Sequence, residues 1–169
     1  KKLSENNLIE VKLAIDGIGM NRIKRWSQKE GISQAVRQGE GNLGLKMKRQ
    51  IVLAQKKRKK PNRDWGRDTV LIGTDVPSLC EEDISLAINS LTHNELVIGP
   101  AKDGGYWLIG FSKKILYPGI SWPFTGINWG TNSVFKETIK RAKEKGISYQ
   151  LVNHKNDLDQ AIDLREWHT

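Results

Sequence analysis

The sequence predicts an α/β fold with a mainly parallel, mixed sheet, and two observations favour it. Short apolar segments of strand length alternate with longer segments in which apolar residues recur every three or four positions, the spacing of an amphipathic helix. One short segment, Thr69 to Ile72, is β-branched and continuous, which is typical of a strand covered on both faces. A length of 169 residues allows one sizeable core. We therefore expect a single domain over residues 1–169.

The first half of the chain alternates between the two patterns. A strand is predicted over Leu8 to Ile15, a short helix over Asn21 to Lys29 and a weaker strand in the segment SQAVRQ. The next helix is predicted from an apolar stripe formed by Leu43, Met47, Ile51 and Ala54.

The second half contains the clearest helix, in the segment SLCEEDISLAINSL. Ser78 and Glu81 have the spacing of a capping box at its start. Its apolar face consists of Ile84, Ala87, Ile88 and Leu91. Strands are predicted in ELVIG and YWLIGF, and then a helix over Thr131 to Lys145 that ends at Gly146, a suitable left-handed cap. The segment SYQLVN is predicted to be a strand, and Asp159 to Trp167 a closing helix.

Charge and hydropathy narrow the classes of function. The 28 lysine and arginine residues outnumber the 19 acidic residues, and much of the excess lies in Lys56 to Arg63. That cluster could bind nucleic acid or an anionic membrane surface. A solvated helix end and loop is favoured, because the cluster follows a helical pattern and precedes a predicted strand. No aromatic residues alternate with the charges to stack on bases, which disfavours nucleic-acid binding. The chain has neither an apolar run of membrane-spanning length nor a signal-peptide core, which predicts a cytoplasmic protein without a membrane span.

The segment VLIGTDVPSL places a carboxylate, Asp75, at the end of an apolar strand. Ligands of open α/β sheets gather beyond the carboxyl ends of the strands, so Asp75 lies where a site is expected. A buried carboxylate there needs hydrogen bonds, an ion pair or a cation. The alternative is that Asp75 accepts backbone N–H groups from the Pro-Ser-Leu turn or caps the next helix. Ser78, which already stands at the predicted cap position, disfavours that alternative.

A second carboxylate, Asp103, lies between two predicted strands in the segment GPAKDGGYWLIG. The glycines that follow it, Gly104 and Gly105, permit a tight turn and let a ligand approach the backbone closely. An Asp-Gly pair is also an ordinary hairpin signal. Two strand-end carboxylates are the minimum that magnesium or manganese would use, with phosphate oxygens and water completing the shell.

Three weaker features accompany these acids. The loop QGEGNLG, residues 38–44, could offer N–H groups to an anion or serve as a flexible turn. Asp157 and Asp159 lie where a strand becomes a helix, and an N-cap is the favoured role for one of them. Trp122 and Trp129 could form a platform for a sugar or base, with core packing as the alternative.

The remaining candidates for chemistry are few. The three histidines have no metal-ligand spacing, and no nucleophile elbow is present. The single cysteine, Cys80, could have a lowered pKa near a helix start, but a small buried hydrophobic residue is the favoured interpretation.

Taken in order, five segments resemble a known family: QGEGNLGLKM, VLIGTDVPSL, LVIGPAKDGGYWLIGF, INWGT and NDLDQAIDL. The sequence is similar to the glycosyltransferase-A-like family of radical-SAM/selenodomain-associated transferases, which is related to 2-phospholactate guanylyltransferases. The similarity runs from Ile9 to Leu164. It implies a three-layer α/β/α sandwich of the nucleotide-diphospho-sugar transferase type, which is Rossmann-like.

The resemblance also implies a function. It implies a metal-dependent transferase with a nucleotide sugar or nucleoside triphosphate donor and an unidentified small-molecule acceptor, with glycosyl transfer favoured over nucleotidyl transfer. Asp75 would be the metal-associated aspartate, and Asp103 a second acid near the donor diphosphate, with Mg²⁺ or Mn²⁺ as cofactor. Asp157 and Asp159 would be candidate bases for the acceptor. The expected binding residues are Gln38, Gly39, Gly41, Asn42, Thr74, Gly104, Gly105, Tyr106 and Trp129.

The chain departs from the family pattern at its start. It begins at what resembles the family's second strand, so the first strand and the phosphate-contacting loop are expected to be missing. Without that strand, one edge of the sheet is exposed, and we expect a partner to cover it. A second copy of the chain is a candidate for that partner. The alternative functions are a catalytically silent binding domain of the same fold and, disfavoured, nucleic-acid binding through Lys56 to Arg63.

Overall fold

The computed structural model describes residues 9–32, 34–56, 67–115 and 119–156. These residues belong to two compact units, Lys1–Asn42 and Leu43–Thr169, and each unit is described by itself. The predicted closing helix, Asp159 to Trp167, and most of the basic cluster, residues 57–63, lie outside the described residues. Within the described ranges, no helix combines the length and the apolar character needed to cross a membrane.

The first unit is built from two strands and the helix between them. Strand β1 (Lys12–Ile15), helix α1 (Met20–Lys29) and strand β2 (Gln34–Arg37) follow one another along the chain. The strands pair in parallel, with Lys12 opposite Gln34. Helix α1 buries Ile23 and Ser27, which are one turn apart and lie on one face. The parallel pairing requires a crossover of this kind, so the predicted alternation of strand and helix is confirmed here.

The second unit contains a four-stranded mixed sheet. Its elements are α2 (Leu43–Lys56), β3 (Thr69–Ile72), α3 (Glu81–His93), β4 (Leu96–Pro100), β5 (Tyr106–Phe111), a 3₁₀ turn (Gly119–Ser121), α4 (Val134–Glu144) and β6 (Tyr149–Leu151). The strand order is β3-β5-β4-β6. Strand β5 is antiparallel to both of its neighbours, and β6 is parallel to β4. The predicted α/β class with a mixed sheet is confirmed.

The core of this unit lies on both faces of the sheet. One face is a cluster that joins strand residues Leu96, Ile98, Ile109 and Phe111 to Ile51 of α2 and Ala142 of α4. Strand side chains alternate between faces, so Val97 and Gly110 point the other way. A Cβ at Gly110 would lie 2.7 Å from Val97 and 3.4 Å from Leu91 of α3. Helices therefore cover the sheet on two sides, which gives three layers within the second unit.

Strand β3 is less buried than predicted. All four of its residues are half-buried, whereas every residue of β4 and all but Tyr106 of β5 are buried. The reason is position, because β3 pairs with β5 alone among the described strands and lies at one side of the sheet. The prediction that β3 is covered on both faces was therefore wrong. The strands that are buried on both faces are β4 and β5.

Helix α3 begins two residues later than the predicted capping box requires. Its N-cap is Cys80, and the carboxylate of Asp83 accepts the Cys80 backbone N–H at 3.0 Å. The predicted pairing of Ser78 with Glu81 was therefore wrong. Cys80 is exposed, so the favoured interpretation of a buried hydrophobic residue was also wrong.

Helix α4 ends as predicted. Gly146 adopts a left-handed conformation, with φ of 66°. Its N–H donates to the Lys143 carbonyl at 3.0 Å, and the N–H of Ile147 donates to the Ala142 carbonyl at 2.9 Å. These bonds satisfy carbonyls at the helix end, which is how a glycine cap stops a helix.

Candidate functional site

The sheet topology brings Asp75 and Asp103 to the same edge. Strands β3 and β4 both run antiparallel to β5, which lies between them, so they run parallel to each other. Ile72 of β3 and Gly99 of β4 are both paired with Leu108, which shows that the two strands end at the same level. Asp75 follows one of these ends and Asp103 follows the other.

Asp75 is exposed to solvent just beyond β3. Its side chain folds back over the strand end, because a Cβ at Gly73 would lie 2.7 Å from the Asp75 Oδ1 atom. Its carboxylate makes no hydrogen bond or ion pair with the described residues. The expectation of a buried carboxylate was wrong, and the turn-forming and capping alternatives are not observed. The carboxylate is therefore solvated and available to a ligand.

Asp103 has a structural role in the hairpin turn between β4 and β5. Its Oδ1 atom accepts the N–H of Gly105 at 2.7 Å, and the Ala101 N–H donates to the Gly105 carbonyl at 3.2 Å. The hairpin interpretation of the Asp-Gly pair is thus confirmed. The side chain is exposed, and this turn bond holds its orientation.

Gly104 is required by packing against the start of α4. It adopts φ of 91°, and a Cβ there would overlap the backbone of Asn132, whose Cα atom would be 2.6 Å away. The Gly104 carbonyl accepts the N–H of Phe135 at 2.9 Å. The chain itself therefore uses the space at Gly104, and a ligand contact at Gly104 or Gly105 stays a prediction. Thr74, on the neighbouring loop, is exposed.

Tyr106 and Trp129 lie against each other beside the hairpin. Their rings meet edge to face, with centroids 6.4 Å apart and planes at 88°. Trp129 also packs on Gly44, where a Cβ would come 2.5 Å from the indole Cε2 atom. The Tyr106 hydroxyl and the Trp129 Nε1 are enclosed without a hydrogen-bond partner among the described residues. Burial raises the pKa of Tyr106 well above its ordinary value.

These contacts bear on the tryptophan platform that the sequence suggested. Trp122 and Trp129 are both half-buried and pack against the hydrophobic core. Each tryptophan therefore contributes to core packing, which was the alternative interpretation. Stacking of Trp129 on a sugar or base stays a prediction.

The glycine loop belongs to the first unit up to Asn42. The Gln38 backbone N–H donates to the Ile15 carbonyl at 3.0 Å, and its side-chain amide donates to the Ala14 carbonyl at 3.2 Å. Gly39 and Gly41 have φ of 83° and 107°, so the turn itself requires glycine. Whether this loop and Asn42 contact a nucleotide stays a prediction. Asp157 and Asp159 lie outside the described residues.

A buried ion pair at the start of α3 was not predicted from the sequence. The ammonium of Lys155 lies 2.7 Å from the Asp83 Oδ2 atom, and the side chains are only 11% and 5% exposed. Burial alone would raise the pKa of Asp83, but hydrogen bonds from Lys155 and Cys80 outweigh it and hold that pKa below its ordinary value. Lys155 is an isolated lysine in the sequence, and no spacing marks it.

The described residues contain no group of three or more histidine, cysteine, aspartate or glutamate side chains placed to hold a metal ion. The candidate cation ligands at the sheet edge are the carboxylates of Asp75 and Asp103. Such a pair matches sites in which a bound substrate and water supply the remaining ligands.

Comparison with solved structures gives a clear likeness. A crystal structure from Desulfovibrio desulfuricans G20, described as a "putative nucleotide-diphospho-sugar transferase", matches with a TM-score of 0.79 and 26% sequence identity. The match covers 94% of this chain and 65% of that one, so this chain spans less than two thirds of its neighbour's length. The likeness confirms the predicted fold. No curated protein matches the chain.

Comparison with protein families gives a match to most of the chain. Residues 1–131 match the family described as "Uncharacterized protein conserved in bacteria (DUF2064)". The matched residues include both strand-end acids, the hairpin between β4 and β5, and Trp129. The chain therefore belongs to the DUF2064 family of uncharacterized bacterial proteins.

Proposed function

We propose that the protein is a metal-dependent transferase that uses a nucleotide-activated donor. Glycosyl transfer from a nucleotide sugar is the favoured reaction, and nucleotidyl transfer is the second candidate. The observation that carries the proposal is the placement of Asp75 and Asp103 at one edge of the sheet. The fold shared with the structure described as a "putative nucleotide-diphospho-sugar transferase" supports it. A closer relation to radical-SAM/selenodomain-associated transferases and 2-phospholactate guanylyltransferases rests on the sequence motifs.

The two acids are of the chemical type that a hard divalent cation prefers. Asp75 has a solvated carboxylate without a partner among the described residues, and Asp103 uses its Oδ1 atom in the turn. Mg²⁺ and Mn²⁺ prefer oxygen ligands and commonly combine one or two carboxylates with phosphate oxygens and water. When bound, such a cation stabilises the negative charge that develops on a leaving diphosphate.

The chain's own contribution is to hold these acids in place. The Gly105 N–H holds the Asp103 side chain. The packing of Gly104 against Asn132 holds the hairpin turn that carries Asp103. The start of the Asp75 loop is fixed by the bond from the Gly73 N–H to the Trp107 carbonyl, at 2.8 Å. Groups that are held before the ligand arrives cost little reorganisation during the reaction.

A thermal-shift panel tests the proposal. Wild-type protein is heated with Mn²⁺ alone, with nucleoside diphosphates alone, and with Mn²⁺ plus each nucleoside diphosphate or nucleotide sugar. A ligand at one hundred times its Kd stabilises by about 2.7 kcal/mol, which for a chain of this size raises Tm by roughly 5–10 °C. We expect such a rise for Mn²⁺ together with at least one nucleotide.

Two variants make the test specific. Asp75→Asn removes the charge at the site and should abolish the rise. Asp68→Asn is the matched control, because Asp68 lies before the other end of β3 and its Oδ1 atom accepts the Lys113 N–H at 2.7 Å, an acceptor that asparagine keeps. The control should retain the rise. The absence of any shift across the whole panel, or equal shifts in both variants, would refute the proposal.

Product analysis then separates the two reactions. Release of a nucleoside diphosphate from a nucleotide sugar indicates glycosyl transfer, and release of pyrophosphate from a nucleoside triphosphate indicates nucleotidyl transfer. Binding without either product in the presence of an acceptor panel would point to the silent binding domain.

A further inference from the structure

The chain after β6 is bonded to the loop that carries Asp75. The Lys155 ammonium donates to the Ser78 carbonyl at 2.9 Å as well as to Asp83 at 2.7 Å. Ser78 belongs to the loop between β3 and α3, and Asp83 lies in the first turn of α3. One buried side chain therefore joins the end of this loop to a segment 77 residues further along the chain.

Lys155 is itself held firmly. Its backbone N–H donates to the Pro100 carbonyl at 3.2 Å, and it forms a parallel bridge with Ala101. Its ammonium lies 5.6 Å from the centre of the Trp107 ring, and the Trp107 Nε1 donates to the Asn153 carbonyl at 3.0 Å. The sheet thus provides a fixed base from which Lys155 reaches the loop.

The bond to Ser78 goes beyond what the ion pair needs. Asp83 already balances the charge of Lys155, and it also accepts the N–H and thiol of Cys80, each at 3.0 Å. The neutral carbonyl of Ser78 adds no charge compensation. The bond to Ser78 holds the loop on the C-terminal side of Asp75. The bond from the Gly73 N–H to the Trp107 carbonyl holds the loop on the N-terminal side.

We propose that Lys155 is a positioning residue for Asp75, which fixes the Gly73–Cys80 loop through the Ser78 carbonyl. The proposal deepens the proposed function and rests on it, because it concerns the site at which Asp75 would meet a ligand. The loop would otherwise be anchored at Gly73, by the buried Val76 and by the turn bond from the Leu79 N–H to the Val76 carbonyl.

Three variants separate positioning from general stability. Lys155→Met leaves the Asp83 carboxylate buried without its cation, so it should lower overall stability as well as loosen the loop. The double variant Asp83→Asn with Lys155→Met leaves no unpaired charge, and the asparagine oxygen can still accept the Cys80 N–H. It should recover most of the lost stability but not the bond to Ser78. Lys140→Met is the control, since Lys140 pairs with Glu144 on the exposed surface at 3.9 Å.

Hydrogen–deuterium exchange without ligand is the first measurement. In the double variant we expect peptides that cover residues 73–80 to exchange at least tenfold faster than in the wild type, while the β4–β5 ladder at Ile98 and Ile109 stays as protected as before. Lys155→Arg, which keeps the charge and the donors, should restore loop protection. Recovery of loop protection together with stability in the double variant would overturn the proposal, as would equal loosening by Lys140→Met.

Nucleotide binding is the second measurement. With the nucleotide and Mn²⁺ that the wild type binds best, we expect the double variant to bind at least tenfold more weakly, and an unchanged Kd would overturn the positioning role. A wild type that binds nothing in the panel refutes the proposed function, and the ligand-free exchange experiment still decides whether Lys155 holds the loop. The two failures are therefore distinguishable.

Discussion

Replacement of Gly104 by alanine tests how firmly the Asp103 turn is built into the fold. The residue has φ of 91°, in the region that favours glycine, so any side chain there is strained by about 1–2 kcal/mol. The new Cβ would also overlap the Asn132 backbone, with the Asn132 Cα only 2.6 Å away. Displacing a packed backbone segment costs about 1–3 kcal/mol more. We therefore expect Gly104→Ala to lower the free energy of unfolding by about 2–5 kcal/mol.

The matched control is Gly146→Ala. Gly146 also has a positive φ, 66°, but no heavy atom lies within 4 Å of a Cβ built there. It should therefore lose only the backbone strain, about 1–2 kcal/mol. Both variants would be measured by urea unfolding, with m-values compared to confirm that the unfolded state is unchanged. Equal losses in the two variants would refute the argument that the turn depends on the contact between Gly104 and Asn132.

Two further predictions concern the start of α3. The hydrogen bond to Asp83 raises the pKa of Cys80, so this exposed thiol should react with iodoacetamide at pH 8 more slowly than an unstructured cysteine peptide. Asp83→Asn should speed the reaction several-fold, and an unchanged rate would contradict the assigned cause. The pKa of Asp83 is held below its ordinary value, so its stabilising effect is present above about pH 4 and is lost as the pH falls through the folded-state pKa. The urea midpoint of the wild type should therefore fall more steeply below about pH 4 than that of Asp83→Asn, and parallel curves would contradict this.

The elements of the fold could be predicted because their signals are local. The segments that became β4 and β5 are continuous apolar runs bounded by turn residues, and α3 carries its apolar residues at helical spacing. The strand order, in contrast, is not set by local signals. The sequence identified the two acids as strand-end carboxylates that one cation could use, and in the structure they follow strand ends at the same edge of the sheet. The strand between them, however, is the antiparallel β5.

The errors occurred where distant residues decide local structure. Serine is a common N-cap and cysteine is not, so local preference favoured Ser78 over Cys80. In the folded chain Asp83 is fixed by Lys155, which lies far along the sequence, and the helix begins where Asp83 can accept the Cys80 N–H. The exposure of Asp75 could not be predicted either, because it depends on how the loop leaves the sheet.

The placement of β5 between β3 and β4 also sets the size of the group that the two acids can share. Neighbouring strands are about 4.8 Å apart, so the ends of β3 and β4 are separated by roughly 10 Å. Two oxygens bound to one magnesium or manganese ion are much closer, since each bond is only about 2.1 Å long. Side chains on both loops would have to reach inwards to meet a single ion. A gap of this width suits a metal together with a diphosphate better than a bare ion. Mn²⁺ alone should then be held weakly, and Mn²⁺ with a nucleotide more tightly, a comparison that the thermal-shift panel includes.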